Sequence, residues 1–354
     1  MKKVLVLALT VAMTLGMCIG LTSCGGSGGE NGEVRVYCFG DYLDPELVSE
    51  FEEETGIRVV LDTFDTNEEM YPIVQKESAS YDVICASDYM IEKMISEGLL
   101  SEIDFGAIPN TENIDAKYMD IAKGFDPENK YAIPHTWGTL GIMYNTEDIP
   151  KGEITSWNDL WNSKYKQQIV MPDSLRDTLA IALKAKGYSI NTTDEAQVQE
   201  AADYLKKQKP LVYKYANDSA RDLAIGGSAS IAVVWNGEIL YSQAENDKLD
   251  FVIPEEGSEE FMDAWVMPKN VKNKENAQKW LDFLLRKESA VKNYEYLTYS
   301  IPNVGVIDKV KDDSKKMGYL FPSDDVISKC EILQPLGSEG DDMYSRIWKD
   351  FKSK

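Results

Sequence analysis

The regular alternation of strand-like and helix-like segments between residues 34 and 98 is the feature that most restricts the fold of this chain. Short apolar runs at 34–38, 57–62 and 81–85 predict strands. Each run is followed by a helical pattern, the first opened by Asp44 and Pro45 and closed by Gly56. Strands and helices that alternate at this spacing predict a mostly parallel sheet covered by helices.

A second block of the same kind begins near Gly138 and contains apolar strands at 168–171 and 230–236. Helix starts are predicted at Asn67, in a helix that contains Pro72, and at Thr192, which stands three residues before Glu195. Further helices are predicted at 274–286, near 325–330 and at 341–351. No Gly/Pro/Ser-rich linker separates the blocks, so we expect an α/β protein of two lobes joined by short crossovers.

Ligands of open α/β sheets bind beyond the carboxyl ends of the strands, so the residues at these ends are candidate binding residues. Aromatic and acidic or hydroxyl side chains occur there: Phe39, Asp41, Tyr42, Ser87, Tyr89, Asp173, Ser174, Asp177, Trp235 and Tyr299. Almost no basic residue accompanies them, Arg176 being the exception. Carboxylates bind ammonium groups and aromatic faces hold cations and methylene chains, so this mixture favours a chain-like polyamine.

A single carboxylate, Asp263, interrupts the apolar strand pattern at 261–268. An ionised carboxylate is costly to bury unless a cation or several donors pair with it, and no Lys or Arg lies within the run before Pro268. A ligand amine is one partner that would satisfy it. The alternative is that Asp263 faces water at the end of the strand or caps a neighbouring turn.

The other candidates have structural alternatives as well. Ser174 and Asp177 have the spacing of a helix cap, and Asp41 fits a solvated loop. Tyr42 and Tyr89 could pack over helix starts, and Trp235 could belong to the core. The lone His135 is assigned a structural role.

Residues 1–23 have the pattern of a bacterial lipoprotein signal, with Lys2 and Lys3 before an apolar run and Leu21-Thr22-Ser23-Cys24 at its end. The run is short for a transmembrane span. We therefore expect a mature, exported chain lipidated at Cys24, with 24–32 as a flexible tether that reaches about 15 Å. The remaining cysteines fit no disulfide framework or zinc motif, although a bridge between Cys38 and Cys85 stays open.

The net charge of −23 disfavours nucleic acid and anionic lipid as partners. The sequence also lacks a phosphate-binding glycine loop, a nucleophile elbow and a paired-histidine zinc motif. We therefore expect no cofactor, no metal and no enzymatic activity.

From residue 34 onward the chain resembles the bacterial spermidine/putrescine-binding proteins (PotD type) of polyamine ABC transporters. The motifs that carry the resemblance are EETGIRV (53–59), NEEMY (67–71), YDVI (81–84), FDP (125–127), IPHTWG (133–138), TSWNDLW (155–161) and WNG (235–237). The resemblance implies a two-lobed periplasmic-binding-protein-like fold of type II. Each lobe would be a helix-covered mixed sheet, and the ligand cleft would lie between the lobes.

The resemblance also implies roles for individual residues. Tyr42, Tyr89, Trp235 and Tyr299 match aromatic cleft residues, Asp263 matches the carboxylate that takes an amino group, and Ser87 matches a polar neighbour of the ligand. Asp41 and Asp177 stand where the family has glutamates, and Gln334 is matched to a C-terminal glutamine. The chain departs from the family at Phe39 and Phe261, which replace tryptophans, at Gly40, which replaces a small hydroxyl residue, and at Ser174, which replaces an aspartate. The loss of that acid leaves open whether spermidine or putrescine is preferred.

The expected function is therefore that of a monomeric, lipid-anchored, extracytoplasmic binding protein that delivers polyamines to an ABC permease. The expected lobes are 33–137 with 263–303, and 138–262 with 304–354. A receptor for a sugar or another small solute is the first alternative, because aromatic rings and carboxylates also bind sugars. A glycosidase that uses two carboxylates is the second.

Overall fold

The computed structural model describes residues 29–40, 42–76, 80–217 and 219–353. The strands are β1 (Glu33–Phe39), β2 (Arg58–Phe64), β3 (Val83–Ser87), β4 (Leu100–Ser101), β5 (Ala132–Asn145), β6 (Ile169–Met171), β7 (Val212–Tyr215), β8 (Ile231–Trp235), β9 (Leu249–Val252), β10 (Glu259–Pro268) and β11 (Glu331–Ile332). The helices are α1 (Pro45–Thr55), α2 (Asn67–Val74), α3 (Asp88–Ser96), α4 (Ala116–Ala122), α5 (Leu175–Ala185), α6 (Glu195–Gln208), α7 (Ser219–Ile225), α8 (Glu238–Glu245), α9 (Lys274–Leu284), α10 (Lys287–Leu297), α11 (Val304–Val310), α12 (Ser314–Leu320), α13 (Asp324–Ile327) and α14 (Gly337–Ser353). The predicted α/β class is confirmed.

The strands form a mixed sheet in the order β2-β1-β3-β10-β5-β8-β6-β7. β1 pairs in parallel with β2 and β3, and β6 pairs in parallel with β7 and β8. β10 runs antiparallel to both β3 and β5. The carboxyl end of β3 therefore lies beside the first half of β10, which brings the predicted binding residues of distant chain segments together.

β5 is a 14-residue strand that belongs to both halves of this sheet. Up to Thr139 it pairs with β10, and from Leu140 onward it pairs with β8 and then also with β9. The change of partner occurs next to Gly138, where an added Cβ would lie 2.6 Å from the Phe261 ring. The glycine therefore lets this aromatic ring pack against the crossover.

Three apolar clusters, which include Trp137, Trp157 and Trp265 respectively, surround the sheet. These three side chains are at most 1% exposed. Fully burying a large apolar side chain contributes about 1.5–3 kcal/mol, so the clusters fix the strands that carry the binding residues.

Some helix starts follow the sequence pattern and others differ by one or two residues. Asp44 accepts a hydrogen bond from the Glu46 amide at 2.9 Å, as predicted. The starts predicted at Asn67 and Thr192 are wrong, because the capping residues are Thr66 and Asp194. In both helices an oxygen acceptor beside the predicted residue satisfies the free amides, and the Asp194 charge also complements the helix dipole.

Cys38, Cys85 and Cys330 are buried free thiols. Cys38 and Cys85 lie on the adjacent strands β1 and β3, but the bridge left open by the sequence is not formed. Burial raises the pKa of Cys38 to about 12, so this thiol behaves as a small apolar side chain.

None of the helices in the described ranges has the length and apolar character that crossing a membrane requires.

Candidate functional site

Asp263, the carboxylate of the apolar strand β10, is 4% exposed and lies among three hydroxyl groups. Ser87 Oγ donates to its Oδ1 at 2.6 Å and Thr136 Oγ1 donates to its Oδ2 at 3.2 Å. The Tyr42 hydroxyl donates to Oδ2 as well. Ser87 and Thr136 are the direct neighbours of Asp263 on β3 and β5, so the strand register builds this arrangement.

The described residues supply no counter-ion for the charge of Asp263. Within the part of the chain that the structure describes, its side-chain partners are hydroxyls, and no lysine or arginine pairs with it. Burial raises the pKa of Asp263, and the hydrogen bonds from Ser87, Tyr42 and Thr136 oppose that rise. Three neutral donors orient the carboxylate but leave its charge uncompensated, which is the condition under which a bound cation is favourable.

Asp263 lies in the wall of a cavity of about 280 Å³, called here the inner cavity. Nine of the predicted site residues line it: Phe39, Tyr42, Ser87, Tyr89, Asp177, Trp235, Phe261, Asp263 and Tyr299. Four residues that sequence reasoning did not assign to the site complete the lining: Asp88, Glu259, Glu260 and Leu333. The described lining thus holds five carboxylates and six aromatic rings, with no lysine or arginine.

Two other predicted site residues, Ser174 and Gln334, line a larger neighbouring cavity of about 840 Å³, called here the outer cavity. Tyr89 and Asp177 contribute to both cavities. Gln334 is exposed, and its backbone amide donates to Asn191 Oδ1 at 2.8 Å. The two remaining predictions, Asp41 and Cys24, lie outside the described residues.

Three of the aromatic residues that line the inner cavity, Trp235, Phe261 and Tyr299, contact one another in a row. The ring centroids of Trp235 and Phe261 are 4.9 Å apart in an edge-to-face arrangement, and those of Phe261 and Tyr299 are 6.4 Å apart. Edge-to-face pairs stabilise one another and hold their rings in fixed orientations. Trp235 is therefore part of the cavity wall and not only of the core.

Tyr299 is positioned by two contacts outside the cavity. Its hydroxyl donates to Glu238 Oε1 at 2.7 Å, and Glu238 Oε2 in turn accepts from Arg221 Nη1 at 2.6 Å. The ring packs directly on Gly237, where an added Cβ would lie 2.4 Å from ring carbons. No side chain larger than hydrogen fits at Gly237 while the Tyr299 ring keeps this position.

Gly237→Ala is expected to displace the Tyr299 ring, lower the free energy of unfolding by about 1–3 kcal/mol and weaken ligand binding. The matched control is Gly318→Ala in α12, where an added Cβ meets nothing within 4 Å. That control should be neutral or stabilise the helix by about 0.5–1 kcal/mol. Urea unfolding of both variants measures the difference, and equal stabilities would contradict the role assigned to Gly237.

Ser174 and Asp177 make the helix-cap contact that their spacing allows, and Asp177 also faces the inner cavity. At the start of α5 the Asp177 amide donates to Ser174 Oγ at 3.5 Å, and Ser174 Oγ donates to Asp177 Oδ1 at 2.8 Å. Burial raises the pKa of Asp177, and the hydrogen bond from Ser174 opposes the rise. The structural and binding interpretations of this pair are therefore compatible.

Asp88 follows β3 directly but was not among the predicted site residues. Its Oδ1 accepts from the Tyr89 amide at 2.6 Å and its Oδ2 accepts from the Met262 amide at 3.0 Å, which ties α3 to β10. Burial is the main cause that raises the pKa of Asp88 to about 8. No local sequence signal reveals this role, because Met262 is distant in the chain.

No cluster of three or more His, Cys, Asp or Glu side chains within the described ranges is arranged to hold a metal ion.

Comparison with known proteins assigns the chain to a family. The profile of the family described as bacterial extracellular solute-binding protein matches residues 46–318. The chain is 33% identical over 325 residues to the spermidine/putrescine-binding periplasmic protein of Salmonella typhimurium, covering 92% of each chain. It is 28% identical over 349 residues to the putrescine-binding periplasmic protein PotF of Escherichia coli, covering 94% of each chain.

A solved structure shows the same architecture. The spermidine/putrescine ABC transporter substrate-binding protein PotD of Streptococcus pneumoniae superposes with a TM-score of 0.84 at 35% identity, covering 91% of this chain and 98% of that one. The expected two-lobed periplasmic-binding-protein-like fold is thereby confirmed, and so is the expectation that the chain is a binding protein and not a glycosidase. The chain belongs to the bacterial extracellular solute-binding proteins and is similar to their PotD-type members.

Proposed function

We propose that this protein captures polyamines, putrescine or spermidine or both, outside the cytoplasm and delivers them to an ABC importer. The observation that carries the proposal is that Asp263 is buried, without a counter-ion among the described residues, in a cavity lined by carboxylates and aromatic rings. The relatives described above as spermidine/putrescine-binding and putrescine-binding proteins support the choice of ligand.

The cavity chemistry accounts for useful affinity. A hydrogen bond to a charged group is worth about 1.5–3 kcal/mol net, and a cation–π contact is worth about 0.5–2 kcal/mol. Two of the first kind, at Asp263 and Asp177, and two or three of the second, with Trp235 and the tyrosines, give about −8 kcal/mol before ordering costs, which corresponds to about micromolar binding.

The lobes proposed for this capture are 33–137 with 263–303, and 138–262 with 304–354. Two observations support the division: β5 changes its pairing partner next to Gly138, and the inner cavity takes residues from both sets. Closure of the lobes on an extended amine would bring Asp263 of one lobe and Asp177 of the other to opposite parts of the ligand. The closed form would then dock on the permease. We further propose that Asp41, Ser174 and Gln334 contact the ligand in that form.

Calorimetric titration of the purified protein with putrescine, spermidine and maltose tests the function. We expect saturable heat with at least one amine and none with the sugar, because a neutral sugar cannot compensate the charge of Asp263. Binding of the sugar with no response to either amine would refute the proposal and favour the sugar-receptor alternative.

We also propose a lipid anchor at Cys24 for a protein that acts as a monomer. Cys24→Ser is expected to abolish incorporation of radiolabelled palmitate in a bacterial host and to move the protein from the membrane pellet to the soluble fraction. Cys330→Ser, a change at a buried thiol, is the control and should keep the label. Palmitate incorporation that persists in Cys24→Ser would contradict the assignment.

A further inference from the structure

Glu259 is a buried carboxylate of the inner cavity that neither the sequence motifs nor the proposed ligand contacts include. It is 4% exposed, and its Oε2 has no hydrogen-bond partner among the described residues. Burial raises the pKa of Glu259 well above its usual range, and the nearby charges of Asp177 and Asp88 add to the rise. An unsatisfied buried carboxylate oxygen is costly, so its position in a ligand cavity requires an explanation.

The strand geometry shows where Glu259 points. Side chains alternate between the two faces of a strand, so Glu259, Phe261 and Asp263 share one face of β10. All three line the inner cavity. Glu259 and Glu260 pair with β11, and Glu260 to Asp263 pair with β5 without a register shift, so the alternation holds from Glu259 to Asp263.

This face presents a carboxylate, an aromatic ring and a second carboxylate in order. Four residues of strand separate the Cα atoms of Glu259 and Asp263 by about 13 Å. In the proposed lobe division they belong to different lobes, with Glu259 beside Asp177 of α5. A linear guest with an ammonium group at each end and methylenes over Phe261 fits this order.

The length of the face distinguishes between polyamines. Single bonds of about 1.5 Å give an extended putrescine about 6 Å between its nitrogens and an extended spermidine about 11 Å between its terminal nitrogens. An extended spermidine therefore covers more of the distance between the two carboxylates of β10 than an extended putrescine does. Glu259 also lies within electrostatic reach of Asp177, whose carboxylate accepts a hydrogen bond from Ser174.

We propose that Glu259 is a ligand-binding carboxylate that holds the far ammonium group of a triamine and makes spermidine preferred over putrescine. The inference rests on the proposed polyamine function and names the residue that sets the selectivity within it. Arg176 is the cation whose charge acts on Glu259. Its guanidinium group, however, donates hydrogen bonds to the Gln334 carbonyl oxygen at 3.2 Å and to Asn191 Oδ1 at 3.0 Å.

The test compares the affinities of wild-type protein and Glu259→Gln for spermidine and putrescine by calorimetry. We expect Glu259→Gln to reduce the affinity for spermidine at least 10-fold and the affinity for putrescine no more than about 3-fold, because removing one partner of a buried charge pair is costly. The control is Glu256→Gln, which removes the same charge three residues earlier, where the side chain binds Ser156 and Asn158 instead of lining the cavity. The control should leave both affinities unchanged.

A second measurement needs no variant. Because burial raises the pKa of Glu259 and a bound ammonium group would lower it again, spermidine binding should release more protons than putrescine binding, measured by titration in buffers of different ionisation enthalpy. Asp177 and Arg176 on α5 and Asp88 on α3 are the charged groups that act on Glu259. The number of protons that Asp88 releases should be the same for both amines.

The outcomes separate the two proposals. If wild-type protein binds neither amine, the polyamine function fails and this inference fails with it. If wild-type protein binds amines but Glu259→Gln keeps the wild-type ratio of affinities, or if both amines release the same number of protons, the assignment of Glu259 is overturned while the polyamine function stands.

Discussion

Asp263→Asn is expected to reduce polyamine affinity by about 30-fold to more than 1000-fold, since truncating a buried, hydrogen-bonded charge pair costs about 2–5 kcal/mol. Asparagine keeps the shape of the side chain, and the hydroxyls of Tyr42, Ser87 and Thr136 can rotate to accept or donate as the amide requires. The substitution therefore removes the charge and little else. Calorimetry with spermidine and putrescine measures the loss.

The same substitution is expected to stabilise the empty protein. Without ligand, the Asp263 charge is buried with neutral partners only, so its removal should raise the free energy of unfolding by about 1 kcal/mol. A variant that binds amines more weakly but is more stable without ligand would show that the Asp263 charge serves binding and not folding. If the ligand were a sugar, in contrast, Asp263→Asn should reduce its affinity only modestly.

The control for this prediction is Asp126→Asn at another buried aspartate. Asp126 is 1% exposed, its Oδ2 accepts from the backbone amides of Tyr131 and Ala132 at 2.7 and 3.0 Å, and it does not line the inner cavity. This control should lower stability and leave amine affinity intact. An Asp263→Asn protein that binds spermidine like wild type would contradict the central role of the Asp263 charge.

Much of this site could be predicted from the sequence because strand ends are local features. Trp235 ends an apolar strand, Ser87 precedes a helix, and Asp263 interrupts an apolar run, and all three line the inner cavity. The contacts that hold Asp263 could not be predicted in the same way. They depend on the antiparallel placement of β10 between β3 and β5, which joins segments more than 100 residues apart.

The residues that sequence reasoning missed have two different causes. Asp88 bonds a strand amide that only the tertiary fold brings near, so its sequence position carries no signal. Glu259 did carry a signal, because it continues the two-residue alternation of Asp263 and Phe261. The strand predicted from the sequence began at Phe261, whereas β10 begins two residues earlier, at Glu259. Burial of consecutive acids is so costly that a sequence pattern alone argues against it.

The buried carboxylates also predict an unusual pH dependence: the ligand-free protein should lose stability as the pH rises towards 8. The pKa of Asp88 is raised from 3.8 to about 8 and that of Glu260 from 4.5 to about 7, in both cases mainly by burial. Between the ordinary and the raised values the folded state binds more protons than the unfolded state, so the free energy of unfolding falls as the pH rises.

His135 acts in the opposite direction over part of that range. Burial lowers its pKa from 6.5 to about 4, so between those values the unfolded state binds the extra proton and stability rises with pH. The effect of the carboxylates is therefore seen most clearly between about pH 6.5 and pH 8. One pKa unit corresponds to about 1.4 kcal/mol, so we expect a fall of about 2–4 kcal/mol across this window.

Urea unfolding of the ligand-free protein at pH 6.5, 7.25 and 8 measures this fall, and Asp88→Asn should flatten the slope whatever its effect on stability at any one pH. Saturating spermidine should flatten it in wild-type protein too, because bound ammonium groups favour the ionised carboxylates and so lower their pKa values. A ligand-free stability that stays constant or rises between pH 6.5 and pH 8 would mean that the acids of the inner cavity are already ionised. In that case the empty cavity would be hydrated and ready for a cation, and binding would proceed without the proton release expected here.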